Sequence, residues 1–561
     1  MKKKILNSII IAGLAASLLV GCGNAQNVPG NGTQQPESEQ TTESSQAAEN
    51  IEQTAVTDGY RYEQELNIID DNYRNYYEIF VYSFYDSDGD GIGDFNGVTE
   101  KLDYIQDMGF NGIWLMPIMP SPSYHKYDVV DYCDTDPKYG TIDDFKNLIN
   151  EAHNRGIRVI IDFVMNHSSS QNPWFLEACS YLKTLGEDEE PDASVCPYVD
   201  YYHFSKVGMD GYRQVSGTDW YYEGQFDYAM PDLNLENEAL RAEFEKIADF
   251  WIDLGVDGFR MDAALHYEEN DTDFNNEVLN WFFNYCKSKN PDFYMVSEVW
   301  AAQTTIADYY GSLTPSMFNF AVSGAEGPII KAARSGKSAS KFVDAMISYQ
   351  NTYSQKNPDY IDAPFLSNHD QIRVANSLPG DNSKLKLAAG MLLTMSGNPF
   401  VYYGEEIGMQ STGQKDENKR LPMVWSLTND TGMTTGPQGS DKSFQSVSAG
   451  VDEQEQDVTS LLNFYKRGLR IRNENPEIAR GTVEKVSSLC NSSQAAITKT
   501  YDGSTIGIVY NTSLEDAATI DLTGTDLAGM SIRGYMSVTG AEVILDGDTL
   551  EMPAGSICIL K

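Results

Sequence analysis

Short apolar runs alternate with longer amphipathic stretches through most of this chain. The runs are Glu78–Phe84, Gly112–Pro117, Ile157–His167, Val256–Met261, Phe293–Glu298, Met317–Ala321, Ala363–Asn368 and Pro399–Tyr403. Near-continuous apolar runs, rather than strict alternation, predict strands covered on both faces. Between them lie helical stretches, for example Ile142 to Arg155. Strands and helices in turn imply parallel βαβ units. Eight strands over about 400 residues favour a (β/α)8 TIM barrel over an open sheet.

Two stretches depart from that rhythm. Between His167 and the helix near Asn237 the chain is dense in Tyr, Asp, Pro and Gly. A structureless loop of that length is improbable inside a compact domain, so an inserted domain is expected after the third strand. A helix from about Glu453 to Asn475 closes the barrel. Beyond Pro476 the pattern changes to short alternating strands such as Thr505–Tyr510, separated by Asp502-Gly503 and Asp546-Gly547 turns. The fold class is therefore α/β, with barrel domain A in two parts, 63–167 and 230–475. Domain B occupies 168–229, and an all-β sandwich, domain C, occupies 476–561.

The N-terminus has another character. Lys2, Lys3 and Lys4 precede an apolar run from Ile5 to Val20, the pattern of an export signal over 1–21. Leu19-Val20-Gly21-Cys22 resembles a bacterial lipobox, which implies cleavage before Cys22 and a diacylglycerol on its thiol. A plain secreted protein is the alternative. Residues 22–62 are polar, with few large apolar side chains, and read as a flexible tether.

Composition adds exclusions. The formal net charge of −42 argues against nucleic acid and against anionic membrane surfaces as partners. It leaves neutral ligands and cations. Six cysteines remain after Cys22, without a CxxC pair. Only Cys179 and Cys196 are close in sequence, so a bridge between them and free buried thiols are both open.

Two stretches carry chemistry. In Gly255–Asp262, Arg260 and Asp262 lie two apart and face one side of a strand. An arginine there favours the ionised carboxylate. The pair reads equally as a structural salt bridge or as a charged nucleophile. After the first strand comes a loop with Asp86, Asp88, Asp90 and Asp94, plus the Ile92 carbonyl. Hard oxygens at alternate positions suit Ca²⁺. It is not an EF-hand, since Gly97 stands at the twelfth position and a strand precedes the loop. The other polar residues fall at strand ends: Asp162, Asn166 and His167; His266; Glu298; His369 and Asp370. In a barrel those ends share one mouth.

Together these motifs resemble the four signature regions of the α-amylase family, glycoside hydrolase family 13. They are Asp162-Phe-Val-Met-Asn166-His167, Gly258-Phe-Arg-Met-Asp262, Glu298 and Phe365-Leu-Ser-Asn-His-Asp370. Met230-Pro-Asp-Leu-Asn234 resembles the fifth region, in the form of the group intermediate between oligo-1,6-glucosidases and neopullulanases. The resemblance implies Asp262 as nucleophile, Glu298 as general acid/base and Asp370 as transition-state stabiliser. It implies substrate contacts from Tyr127, Asp162, His167, Arg260, His369 and Arg373. It also implies a second calcium site from Asn166, Asp232 and the carbonyl of His266. Lys126 stands where the family has a glycine, and Leu265 where it often has a lysine. The expected function is extracellular α-amylase action on internal α-1,4 bonds of starch and maltodextrin. Exo-acting α-glucosidase or transglycosylase action uses the same residues, and a non-catalytic starch-binding barrel is disfavoured by three intact carboxylates.

Overall fold

In the computed structural model the described residues are 66, 67, 69–380, 382–411 and 415–561. The signal segment, Cys22 and the polar tether lie outside them. The first barrel strands are β1 (Tyr76–Ile79), β2 (Gly112–Leu115) and β3 (Arg158–Phe163). The chain then departs into a helix, Pro173–Leu182, and a small antiparallel sheet of β4 (Phe204–Ser205), β5 (Tyr212–Gln214) and β6 (Tyr221–Glu223). Helix Glu238–Asp253 leads back to β7 (Gly258–Met261), β8 (Tyr294–Ser297), β9 (Ser316–Met317) and β10 (Phe400–Tyr402). These seven barrel strands are parallel, in the order β10-β1-β2-β3-β7-β8-β9.

The eighth member differs from the strand expected at Ala363–Asn368. Its backbone makes only isolated parallel bridges, Phe318 with Ala363 and Phe365 with Phe400. Pro364 lies between them and has no N–H to give a ladder. Its carbonyl still accepts from Phe400, and that of Ala363 from Asn319, so the segment joins both sheet edges and closes the barrel.

Side chains fill the barrel in layers. Tyr76 stacks on Phe400 at 4.6 Å and on Tyr294 at 5.4 Å. Trp114, Phe318 and Phe400 form the next layer. Glu78, Asp162, Arg260 and His369 lie above it, all buried. Arg260 rests 5.2 Å over the Trp114 ring, so an apolar floor carries the charged layer. Gly258 permits this packing, because a Cβ there would meet the Tyr294 carbonyl oxygen at 2.2 Å.

Two further expectations are corrected. The run Glu78–Phe84 is not one strand: β1 ends at Ile79 and Val81–Ser83 is a 3₁₀ turn. A buried apolar run does not distinguish a strand from a packed turn. The helix expected over Glu453–Asn475 is two helices, Val451–Gln456 and Leu461–Glu474. Asp457 folds its carboxylate onto the Thr459 N–H, and Ser460 caps the second helix by accepting from Asn463.

The C-terminal sheets are β11 (Thr482–Lys485), β12 (Gln494–Tyr501), β13 (Ser504–Asn511), β15 (Ile532–Ser537) and β18 (Ser556–Leu560), facing β14 (Ala518–Asp521), β16 (Ile544–Asp546) and β17 (Thr549–Met552). Val509, Cys558 and Leu560 from one sheet and Ile520, Leu550 and Met552 from the other share a core, which makes a sandwich. All six described cysteines are free, Cys179 and Cys196 included.

Candidate active site

The mouth is built on Arg260. Its Nη1 lies 2.8 Å from Asp162 Oδ1 and 2.6 Å from Asp262 Oδ1, and its Nη2 lies 2.9 Å from Glu298 Oε2. One guanidinium thus serves three carboxylates on three adjacent strands. This differs from the dedicated Arg260–Asp262 pair expected from spacing alone. Register explains it: Asp162 pairs with Arg260 across β3 and β7, and Glu298 follows β8 directly.

Burial and charge set the protonation states. Burial pushes the Asp262 carboxyl up, and Arg260 pulls it down. Burial also raises Glu298; Arg260 opposes this, and the neighbouring Asp262 and Asp370 add to it. Glu298 Oε2 also accepts from the Ala263 N–H at 3.1 Å. Asp162 is fully buried and pushed up to about 7, against the pull of Arg260. It accepts from Tyr127 Oη and Trp114 Nε1.

Asp370 has a different setting. His369 Nε2 lies 3.0 Å from its Oδ2, and Arg420 Nη2 lies 2.6 Å from its Oδ1. Burial opposes the charge, yet His369 and Arg420 hold this carboxyl well below the usual range. Burial likewise opposes charge on His369, but Asp370 and Glu78 overcome it and raise its pKa to about 9. Glu78 Oε1 lies 2.6 Å from His369 Nδ1. The site therefore holds one carboxylate fixed in the ionised form and two others, Asp262 and Glu298, pushed towards protonation. Between those two, Asp262 takes the Arg260 hydrogen bond that favours its charge, whereas the Asp262 charge adds to the rise of Glu298, the directions a nucleophile and an acid need.

Tyr127 stacks beside His369 at 5.7 Å and its Oη meets His369 Nε2 at 2.8 Å. Lys126 takes a left-handed backbone, φ 65°, the conformation a glycine adopts without cost. Burial lowers the pKa of His167 to about 4, so the ring is neutral; its Nε2 is buried without a protein partner. An orphaned imidazole nitrogen at the cleft suits a ligand hydroxyl. The cleft has a volume of about 390 Å³ and is bordered by Tyr127, His167, Asp262, Glu298, Asp370 and Arg420.

Arg373 is not brought to this mouth. It is buried, donates to the Tyr403 carbonyl, and packs over the Tyr402 and Tyr403 rings. Its place as a substrate contact is corrected: Arg420 is the arginine at Asp370. Arg420 carried no motif, because it reaches the site from a segment fifty residues beyond Asp370. Glu78 was legible only as a strand residue, its tie to His369 being long-range.

Two groups suit a cation. Asp86, Asp88 and Asp94 bring carboxylate oxygens within 4.8 Å of one another. Asp90 is exposed and outside that cluster, accepting from the Ile92 N–H. Positive φ at Gly89 and Gly91 folds the loop back, and Thr435 clasps it through the Gly91 carbonyl. The second set is Asn166, Asp232 and His266. Asp232 is buried, and burial raises its carboxyl to about 7; among the described residues no lysine or arginine pairs with it. Asn166 Nδ2 lies 3.3 Å from Asp232 Oδ1, and the His266 side chain turns to Glu269 at 2.5 Å, which leaves the backbone carbonyl as the donor in question. Both sets are oxygen-rich and short of cationic partners, and fit a hard divalent ion.

Carboxyl groups of divergent character at the mouth of a barrel are equipment for proton and acyloxy transfer at an acetal carbon, and that class is the glycoside hydrolases. Comparison with known proteins narrows it. The description "Alpha amylase, catalytic domain" matches residues 78–481. Alpha-amylase 3 of Dictyoglomus thermophilum is 40% identical over 426 residues, spanning 74% of this chain and 80% of that protein. Alpha-amylase SusG of Bacteroides thetaiotaomicron is 30% identical over 604 residues, spanning 78% and 84%. The structure of Eubacterium rectale Amy13B superposes with a TM-score of 0.86 at 47% identity, covering 89% of this chain and 97% of that one. The chain belongs to the α-amylase family, glycoside hydrolase family 13.

Proposed function

We propose that the protein is an endo-acting, retaining α-amylase that cleaves internal α-1,4 bonds of starch and maltodextrin. The observation that carries the retaining mechanism is the shared grip of Arg260 on Asp262 and Glu298, which sets the proposed nucleophile and acid side by side on neighbouring strands. Glu298 protonates the glycosidic oxygen while Asp262 attacks the anomeric carbon; water then enters with Glu298 as base. Asp370, fixed as a carboxylate, binds sugar hydroxyls and the charge that develops in the transition state. The α-amylase names among the relatives support the α-glucan substrate. Early mixed oligosaccharides from amylose are expected; early glucose alone would mean exo action. Asp262→Asn abolishes hydrolysis and spares starch binding, and a fully active variant would sink the mechanism.

The proposal includes Ca²⁺ at the Asp86–Asp94 loop and a second Ca²⁺ at Asn166, Asp232 and the His266 carbonyl. Both ions would hold backbone segments in place, the second between domains A and B. Metal analysis of the purified protein tests this, and one bound calcium per chain would remove the second site. The proposed address is the outer face of a membrane, through lipid on Cys22. Labelled fatty acid should enter the wild type and not Cys22→Ala.

A further inference from the structure

Arg420 reaches Asp370 on a segment that distant contacts hold in place. The stretch 415–445 follows β10 and contains only two 3₁₀ turns, Asp416–Lys419 and Lys442–Phe444. Irregular backbone keeps one shape only where contacts outside it fix that shape. On one side those contacts run to the acidic loop. The Thr435 N–H and Oγ1 both donate to the Gly91 carbonyl, at 2.7 and 2.9 Å, and the Asp86 N–H donates to the Gly432 carbonyl at 2.9 Å. Gly432 lies so close on the Tyr85 ring that a Cβ would overlap it.

On the other side the contacts run to the neighbours of Arg420. A Cβ at Gly436 would meet Pro422 Cδ at 2.8 Å. Asn418 Oδ1 accepts from the Asp441 N–H at 2.7 Å, and Gln445 donates to the Pro422 carbonyl. Ser83, in the turn before the acidic loop, donates through Oγ to the carbonyl of Arg420 itself at 2.7 Å. Residues 432–436 thus form a wedge between the acidic loop and Pro422, which lies two residues past Arg420. Thr435, Gly436 and Pro422 do not border the cleft, whereas Arg420 does. The loop end of the wedge is sensitive to charge. Asp86, Asp88 and Asp94 bring like charges within 4.8 Å, which spreads the loop unless a cation offsets them. Gly91 is part of that loop, so Thr435 follows its movement.

We propose that Thr435 and Gly436 are positioning residues for Asp370: they fix Arg420 by locking its segment to the acidic loop, so that a cation in the loop and the arginine at the mouth are coupled. The inference rests on the proposed role of Asp370 in the transition state. A guanidinium displaced from Asp370 weakens a hold that matters most as charge develops, so the wedge acts on kcat more than on KM.

The test is a double-mutant cycle on the full chain, with maltoheptaose as substrate and thermal melts to show that each variant is folded. Gly436→Ala drives a Cβ against Pro422 and should lower kcat about tenfold, while KM changes less than about twofold. In an Arg420→Gln background the same substitution should lower kcat less than about twofold, because the group it positions is gone. Equal losses in the two backgrounds overturn the proposal, since a merely destabilising change gives that result. If Gly436→Ala does not fold, Thr435→Val takes its place in the cycle; it removes only the side-chain bond to Gly91, and a loss of about threefold is expected. Calorimetric titration of EGTA-treated protein with Ca²⁺ gives a reading independent of activity. The binding that Asp88→Asn removes should be about fivefold weaker in Gly436→Ala, because coupling is reciprocal. Unchanged affinity overturns the coupling of loop and mouth. A wild type that does not cleave maltoheptaose overturns the proposed amylase action, and this inference with it.

Discussion

Lys126 joins two opposed effects at one residue. Its backbone lies at φ 65°, which costs a non-glycine residue about 1–2 kcal/mol. Its Nζ meets Asp136 Oδ2 at 2.5 Å in a buried pair, and breaking such a pair costs about 3–5 kcal/mol. The pair outweighs the strain, so Lys126→Gly should lose about 1–4 kcal/mol in urea denaturation. A more stable variant would reverse that ordering. His369 gives a pH dependence. Its pKa is raised to about 9 from the usual value of about 6.5. Its charge therefore stabilises the fold fully below about 6.5, and the gain is lost as pH rises through about 9. Glu78 keeps the Nδ1 proton, so deprotonation at Nε2 removes the hydrogen bond to Asp370. kcat/KM should fall through the same range, and a flat profile to pH 10 would contradict the assignment. The catalytic carboxylates were legible because they sit in short, contiguous motifs. Arg420 and Glu78 were not, since their contacts to Asp370 and His369 span 50 and 291 residues.

At the level of elements, spacing predicted where strands lie better than where they stop. Pro364 reduces one expected strand to two bridges, and Ser460 starts a new helix inside an expected one. The acidic loop was read as five alternating oxygens, and the fold gathers three of its four carboxylates. That gives a graded prediction. Chelation with EGTA should lower the melting temperature of the wild type. Asp88→Asn should blunt this response more than Asp90→Asn, because only Asp88 lies in the cluster. Equal loss in the two variants would show that the loop closes differently around an ion.

For the whole molecule, domain C is part of the barrel's support. Lys499 on β12 is fully buried and donates to the carbonyls of Thr394 and Ile478 and to Ser396 Oγ. Tyr510 reaches Thr394, and Lys561 reaches Glu477. A chain ending at residue 481 leaves those carbonyls and an apolar surface uncovered, and should be insoluble or melt far below the full chain. A soluble, equally stable fragment would contradict this. The sequence by itself determined the alternation of strand and helix, the inserted and C-terminal domains, and the carboxylates at strand ends, because period and motif are local properties of a chain. Arg260 began there as a partner to Asp262 alone. Only the tertiary structure decided that it serves Asp162 and Glu298 as well, and that Arg420 rather than Arg373 holds Asp370. Each of those depends on which distant strands become neighbours, and barrel closure settles that.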